Sequence, residues 1–332
     1  MQRPDPDRRA AGLRRRALLW AVVFPAVRLL SACAEAPVSS ATDADAGQAL
    51  LRRVRTVSGG FLSPPGPVYG VPARPGTGMY VKLAAPTAIA LQGSDLLVVD
   101  SALGRLWRVD IGLNTLSGIA GAPALPGTAV ALGADLSAWV LDAASHQVLR
   151  LARDGRLLQT FRAGIAAPAP VGLALADGGA TLLLADSVLG QWAELRSVGG
   201  FARPVRPVTP AGGGIAVDGI AIASETVFVL DRRAGLVHRV RRDGLLVDSL
   251  GAGELKQPVA LVADRLGRVF VHDAQDRAVK LLRPGRPAQV FDAVALGVQQ
   301  IGAIAVDERF LAVADRLSGQ VVVYELRGEA AR

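Results

Sequence analysis

Over most of its length the chain repeats one short statement: an apolar run closed by an aspartate, a turn of about four residues, and a second apolar run. Residues 95–110 read DLLVVDSALGRLWRVD, with Asp100 at the end of the first run. The statement recurs as AWVLDAASHQVLRL around Asp142, LLLADSVLGQWAEL around Asp186 and VFVLDRRAGLVHRV around Asp231. It returns as VFVHDAQDRAVKLL around Asp273 and LAVADRLSGQVVVYEL around Asp315. Runs this short, bounded by turn residues, are strands and not helices. Fourteen to sixteen residues before most of these aspartates lies another short run, such as Pro86–Leu91, Pro170–Leu175 or Pro258–Val262. In it small residues alternate with branched ones, which suits a strand where several backbones converge.

The aspartates are spaced by 42, 44, 45, 42 and 42 residues. A fixed period of this size with strands inside it predicts an all-β, six-bladed β-propeller of four-stranded antiparallel blades. The order of small-and-apolar strand, apolar run and Asp resembles the NHL repeat over about residues 51–326, while the Gly-His and Trp-Asp marks of WD repeats are missing. The sixth repeat runs out near Leu326, too early for its own outer strand. Leu51–Gly59 is expected to supply that strand and close the ring, with Met79–Leu83 as the other candidate.

Composition changes the picture mainly at the N-terminus. Residues 1–33 hold seven Arg and two Asp, so most of the net charge of +8 sits there, and the high pI does not point to nucleic acid. Arg8, Arg9, Arg14, Arg15 and Arg16 precede the apolar run Ala17–Leu30, which is short for a membrane span and fits an export signal. The following Leu30-Ser31-Ala32-Cys33 resembles the lipobox of bacterial lipoproteins. That resemblance implies cleavage before Cys33, its acylation, and anchoring in the bacterial envelope, on the periplasmic side of the outer membrane if the cell is Gram-negative. Cys33 is the single cysteine, so no intrachain disulfide is available. The expected organisation is a signal at 1–33, a small-residue tether at 34–50 and a monomeric propeller at 51–332.

Candidate chemistry looks sparse from sequence. Six aspartates at equivalent positions are expected to brace their own turns, since a catalytic residue is needed once. The runs expected to line the channel carry one charge, Asp218 at a strand entrance. The three histidines, His146, His238 and His272, fall in different repeats and off those runs, and none is placed to serve a serine. These observations favour a non-catalytic scaffold without cofactor or metal, binding an envelope protein. The long connection 58–85, stiffened by five prolines, offers Phe61, Tyr69, Met79 and Tyr80 for docking. Arg105, Arg232, Arg233, Arg277 and Arg316 are expected on the same face. The alternative is a lactonase- or lyase-like propeller enzyme. Resemblance to lactonases implies a channel calcium held by acidic and asparagine side chains, but Asn114, the one asparagine, falls in an outer turn.

Overall fold

Six four-stranded antiparallel sheets follow one another along the chain of the computed structural model, which describes residues 50–62, 78–162, 167–196 and 200–327. The signal segment, Cys33 and Tyr69 lie outside the described residues. Blade one runs outward through Pro86–Gln92, Asp95–Asp100, Arg105–Asp110 and Thr115–Ile119. Blade two begins at Ala129–Leu132, blade three at Pro170–Ala176, blade four at Gly219–Ala223, blade five at Pro258–Ala263 and blade six at Ile301–Val306. Each of these inner strands touches the inner strand of the next blade, and blade six touches blade one, so the set closes into a ring.

The expected closure is present. Leu51–Val57 pairs antiparallel with Gln320–Leu326 as the outer strand of blade six. Met79–Leu83 does not take that part. Its Tyr80–Lys82 pairs instead with Gly59–Leu62, and that strand lies parallel to the outer strand of blade one. The two ends of the described chain are thereby joined, and blade six is left with no open edge where its fourth strand is missing.

Packing follows the same plan. Six apolar clusters each draw on two neighbouring blades, for example Val98 and Leu116 with Val321 and Val323 across blades one and six. The alternation of each second strand makes this possible: Leu97 and Val99 face blade two, while Leu96 and Val98 face blade six. Burying a leucine or valine on each face stabilises by about 1.5–3 kcal/mol per side chain. With no disulfide available, these interfaces hold the ring.

The repeated aspartates brace the turns. Asp100 accepts the N–H of Leu103 in its turn and those of Ala84 and Ala85, which lead into the inner strand. Asp315 does the same with Gln299, Gln300, Leu317 and Ser318, and Asp273 with Lys256, Gln257 and Asp276. Asp186 holds Ala169 and Leu189. In these four blades the inner strand opens with a bulge just after the clamped residues. Asp142 and Asp231 hold their own turns, and in blade four Asp218 accepts the N–H of Arg232.

Candidate active site

The ring encloses a channel with a cavity at each mouth. Where the inner strands end, a cavity of about 630 Å³ is lined by five carboxylates, Asp177, Glu225, Asp264, Asp307 and Glu308, and by Arg265. Each acid has a partner. Asp177 lies 3.2 Å from Arg242 and Glu308 2.5 Å from Arg265. Asp264 bonds Arg268, and Asp307 accepts the N–H groups of Gly93 and Phe310 at 2.7 Å. Glu225 sits 3.8 Å from Arg242.

Where the inner strands begin, a cavity of about 820 Å³ has the opposite character. Its lining includes Arg232, Arg277, Arg316 and His272, with Asp218 as the one carboxylate. The expectation that the histidines stay away from the channel is therefore corrected at His272. It closes the second strand of blade five, directly before Asp273, and reaches the cavity from behind the inner strand. The corresponding positions in the other blades are Val99, Leu141, Ala185, Leu230 and Ala314.

His272 is 9% exposed. Burial pushes its imidazole down to about 4, against the opposing pull of Asp273, so the ring is neutral near pH 7. No side-chain hydrogen bond engages it among the described residues. Beneath it the turn is rigid. Lys280, 2% exposed, sits 2.8 Å from Asp273 and also binds Asp276 and the carbonyl of Glu254. Burial would raise the Asp273 carboxyl, but Lys280 and the N–H groups of Lys256, Gln257 and Asp276 outweigh it and hold it at about 2. A neutral imidazole facing a cavity, with no hydrogen-bond partner among the described residues, can accept a proton.

The other expected residues divide. Of the five arginines, Arg232, Arg277 and Arg316 line the cavity, whereas Arg105 and Arg233 do not. Arg105 stacks over Trp107 on blade one. Phe61 and Tyr80 lie on the strands appended to the outer edge of blade one, with Met79 directly before the second, and the two rings meet edge to face at 5.3 Å. They do not join the arginines at the cavity.

A further correction concerns serine. His238 Nδ1 lies 2.8 Å from Ser249 Oγ, its direct cross-strand neighbour, and Nε2 lies 3.8 Å from Asp231 Oδ2. A histidine does serve a serine here, but Ser249 lies on the outer strand of blade four and lines neither cavity.

The calcium implied by resemblance to lactonases does not fit these residues. Asn114 occupies an outer turn with φ 56°, and Asp218 already accepts the backbone N–H of Arg232 in a cavity it shares with three arginines. Among the described residues no three acidic, histidine or cysteine side chains gather as a ligand set.

Fold and cavities together define a six-bladed propeller with one acidic and one largely cationic mouth. No protein-family model matches the sequence, and no curated protein matches it either. Solved structures similar to it include virginiamycin B lyase from Staphylococcus aureus, at 10% identity and a TM-score of 0.52, covering 74% of this chain and 96% of that one. A catalytically inactive histidine-to-alanine variant of that lyase with quinupristin gives 10% and 0.53, covering 73% and 95%. A gluconolactonase from Xanthomonas campestris gives 15% and 0.54, covering 74% and 87%. Likeness at this identity shows the fold alone. It still overturns the expectation of a non-enzyme, since that expectation took this architecture with a plain channel as inert, and the similar propellers are named enzymes.

Proposed function

We propose that this chain is a propeller enzyme of the lyase or lactonase type, with the larger cavity as its active site and His272 as its proton acceptor. The observation that carries this is an imidazole with no hydrogen-bond partner among the described residues, lining an 820 Å³ cavity together with three arginines. His272 would take the proton either from a carbon beside a substrate carbonyl or from an attacking water. The first leads to elimination and the second to ester hydrolysis. In both, negative charge develops on a substrate oxygen, and arginine N–H groups are suited to receive it. The chain's own residues supply the base and the cationic surroundings, and no step is routed through a metal.

The test is a panel of lactones and cyclic depsipeptides, with products separated by mass: elimination leaves the mass unchanged and hydrolysis adds one water. His272→Ala is expected to lower turnover by about 10²–10⁴-fold with melting unchanged. Full activity in His272→Ala, or no turnover across the panel, would overturn the assignment.

The rest of the proposal concerns location. NHL-like repeats behind an export signal and an acylated Cys33 would hold the enzyme at the bacterial envelope. Incorporation of a labelled fatty acid, lost in Cys33→Ala, is the expected result. A docking role for the appended strands is supported by Met79 and Tyr80, 68% and 45% exposed.

A further inference from the structure

The charges around the larger cavity are not evenly spread. Arg232 comes from blade four, Arg277 and His272 from blade five, and Arg316 from blade six. Blades one to three contribute uncharged residues, among them Thr87, Thr128 and Val171. One half of the rim is cationic, and the other is neutral and largely apolar.

Two of the arginines are oriented in advance. Arg232 Nη2 donates to the carbonyl of Val259 at 2.7 Å, and Arg277 Nη2 donates to the carbonyl of Gln299 at 3.0 Å. Each thus reaches from its own blade to the entrance of the next, which fixes the guanidinium plane and leaves other N–H groups for a ligand. Arg316 is exposed, and its side chain has no partner among the described residues.

Arg277 also departs from its own repeat. It stands four residues after Asp273 with φ 51°. The same position in blades one, three, four and six is Gly104, Gly190, Gly235 and Gly319, with φ between 57° and 68°. A left-handed backbone is strained for an arginine and free for glycine. Blade two has His146 there, at φ 52°, but His146 lines neither cavity. Strain retained at a cavity wall points to a role for the side chain that carries it.

We infer that the site takes a carboxylate-bearing substrate, its charge held by Arg232, Arg277 and Arg316 over blades four to six and its uncharged body against blades one to three. The inference rests on the reading of this cavity as the active site. A single carboxylate matches the fork of a guanidinium. A more highly charged group would meet Asp218, which shares the rim.

Calorimetric titration of the full-length chain with 4-phenylbutyrate and with 4-phenylbutan-1-ol isolates the charge, since the two differ only at the terminal group. The acid is expected to bind about tenfold tighter than the alcohol, with an advantage that shrinks as salt rises. Arg316→Gln and Arg277→Gly are each expected to weaken the acid about fivefold, while Arg105→Gln and Arg233→Gln change nothing. Arg277→Gly should also melt at a higher temperature, which separates lost binding from lost folding. Equal binding of acid and alcohol, no binding of either, an equal loss in Arg105→Gln, or tighter binding of inorganic phosphate would each overturn the inference. If His272→Ala leaves turnover unchanged while the acid still binds tighter than the alcohol, the enzymatic reading fails and the carboxylate site stands. If it abolishes turnover but acid and alcohol bind alike, the reverse holds.

Discussion

The two mouths of the channel are made from the same six inner strands and differ in what happens to their charges. At the end where the strands finish, five carboxylates line the wall, and each is within 4 Å of an arginine or accepts backbone N–H groups. At the end where they start, three arginines keep N–H groups to spare, and a histidine has no hydrogen-bond partner among the described residues. Paired charge holds a structure in place and leaves little for a ligand. Charge left open at a cavity wall is available to a ligand, and such groups gather at functional sites.

This contrast can be broken most forcefully behind the open mouth. Lys280→Met would leave Asp273 buried opposite an apolar chain, at a cost of about 3 kcal/mol. Chemical denaturation should show the loss, whereas Arg265→Met at the other mouth should cost less than about 0.5 kcal/mol. A Lys280→Met protein as stable as the parent would mean that the paired network contributes little to holding the turn under His272.

Acid should find the same end next. His272 titrates at about 4 in the folded chain and near 6.5 when unfolded, so the unfolded state binds its proton first. Stability from this group is therefore full above about pH 6.5 and falls as pH drops toward 4, by on the order of 3 kcal/mol. Asp273 adds a second loss from about pH 4 down to 2. In His272→Leu the upper part of this decline should vanish from a pH series of unfolding free energies. An unchanged series would show that the imidazole is not buried as described.

The smaller effects sharpen the comparison. Arg277→Gly should add roughly 1 kcal/mol of stability by relieving its left-handed backbone. Neutralising the far mouth with Asp177→Asn and Glu308→Gln should shift stability by about 0.5 kcal/mol or less. It should leave 4-phenylbutyrate affinity where it was. A change in affinity there would mean that both mouths recognise the ligand.

Much of the fold was legible in the sequence because it is periodic. Six aspartates in register located the turns, and the early end of the sixth repeat pointed to Leu51–Val57 as the closing strand. The site was legible only in part, for a physical reason. The channel was read from the inner strands alone, yet His272 arrives from a second strand and Arg277 from a turn. The usable signal was each residue's departure from its own repeat: a histidine where five blades place Val, Leu or Ala, and an arginine where four place Gly. His238 and Ser249 meet only across a strand pair, so nothing in their spacing announced them.

The pairing of Leu51–Val57 with Gln320–Leu326 has a consequence for how the protein is made. Leu51–Val57 leaves the ribosome long before Gln320–Leu326, so five blades must wait for the sixth before the circle can shut. Such long-range pairing slows folding. Removal of Leu51–Val57 would leave Gln320–Leu326 as an open sheet edge at the seam of the ring.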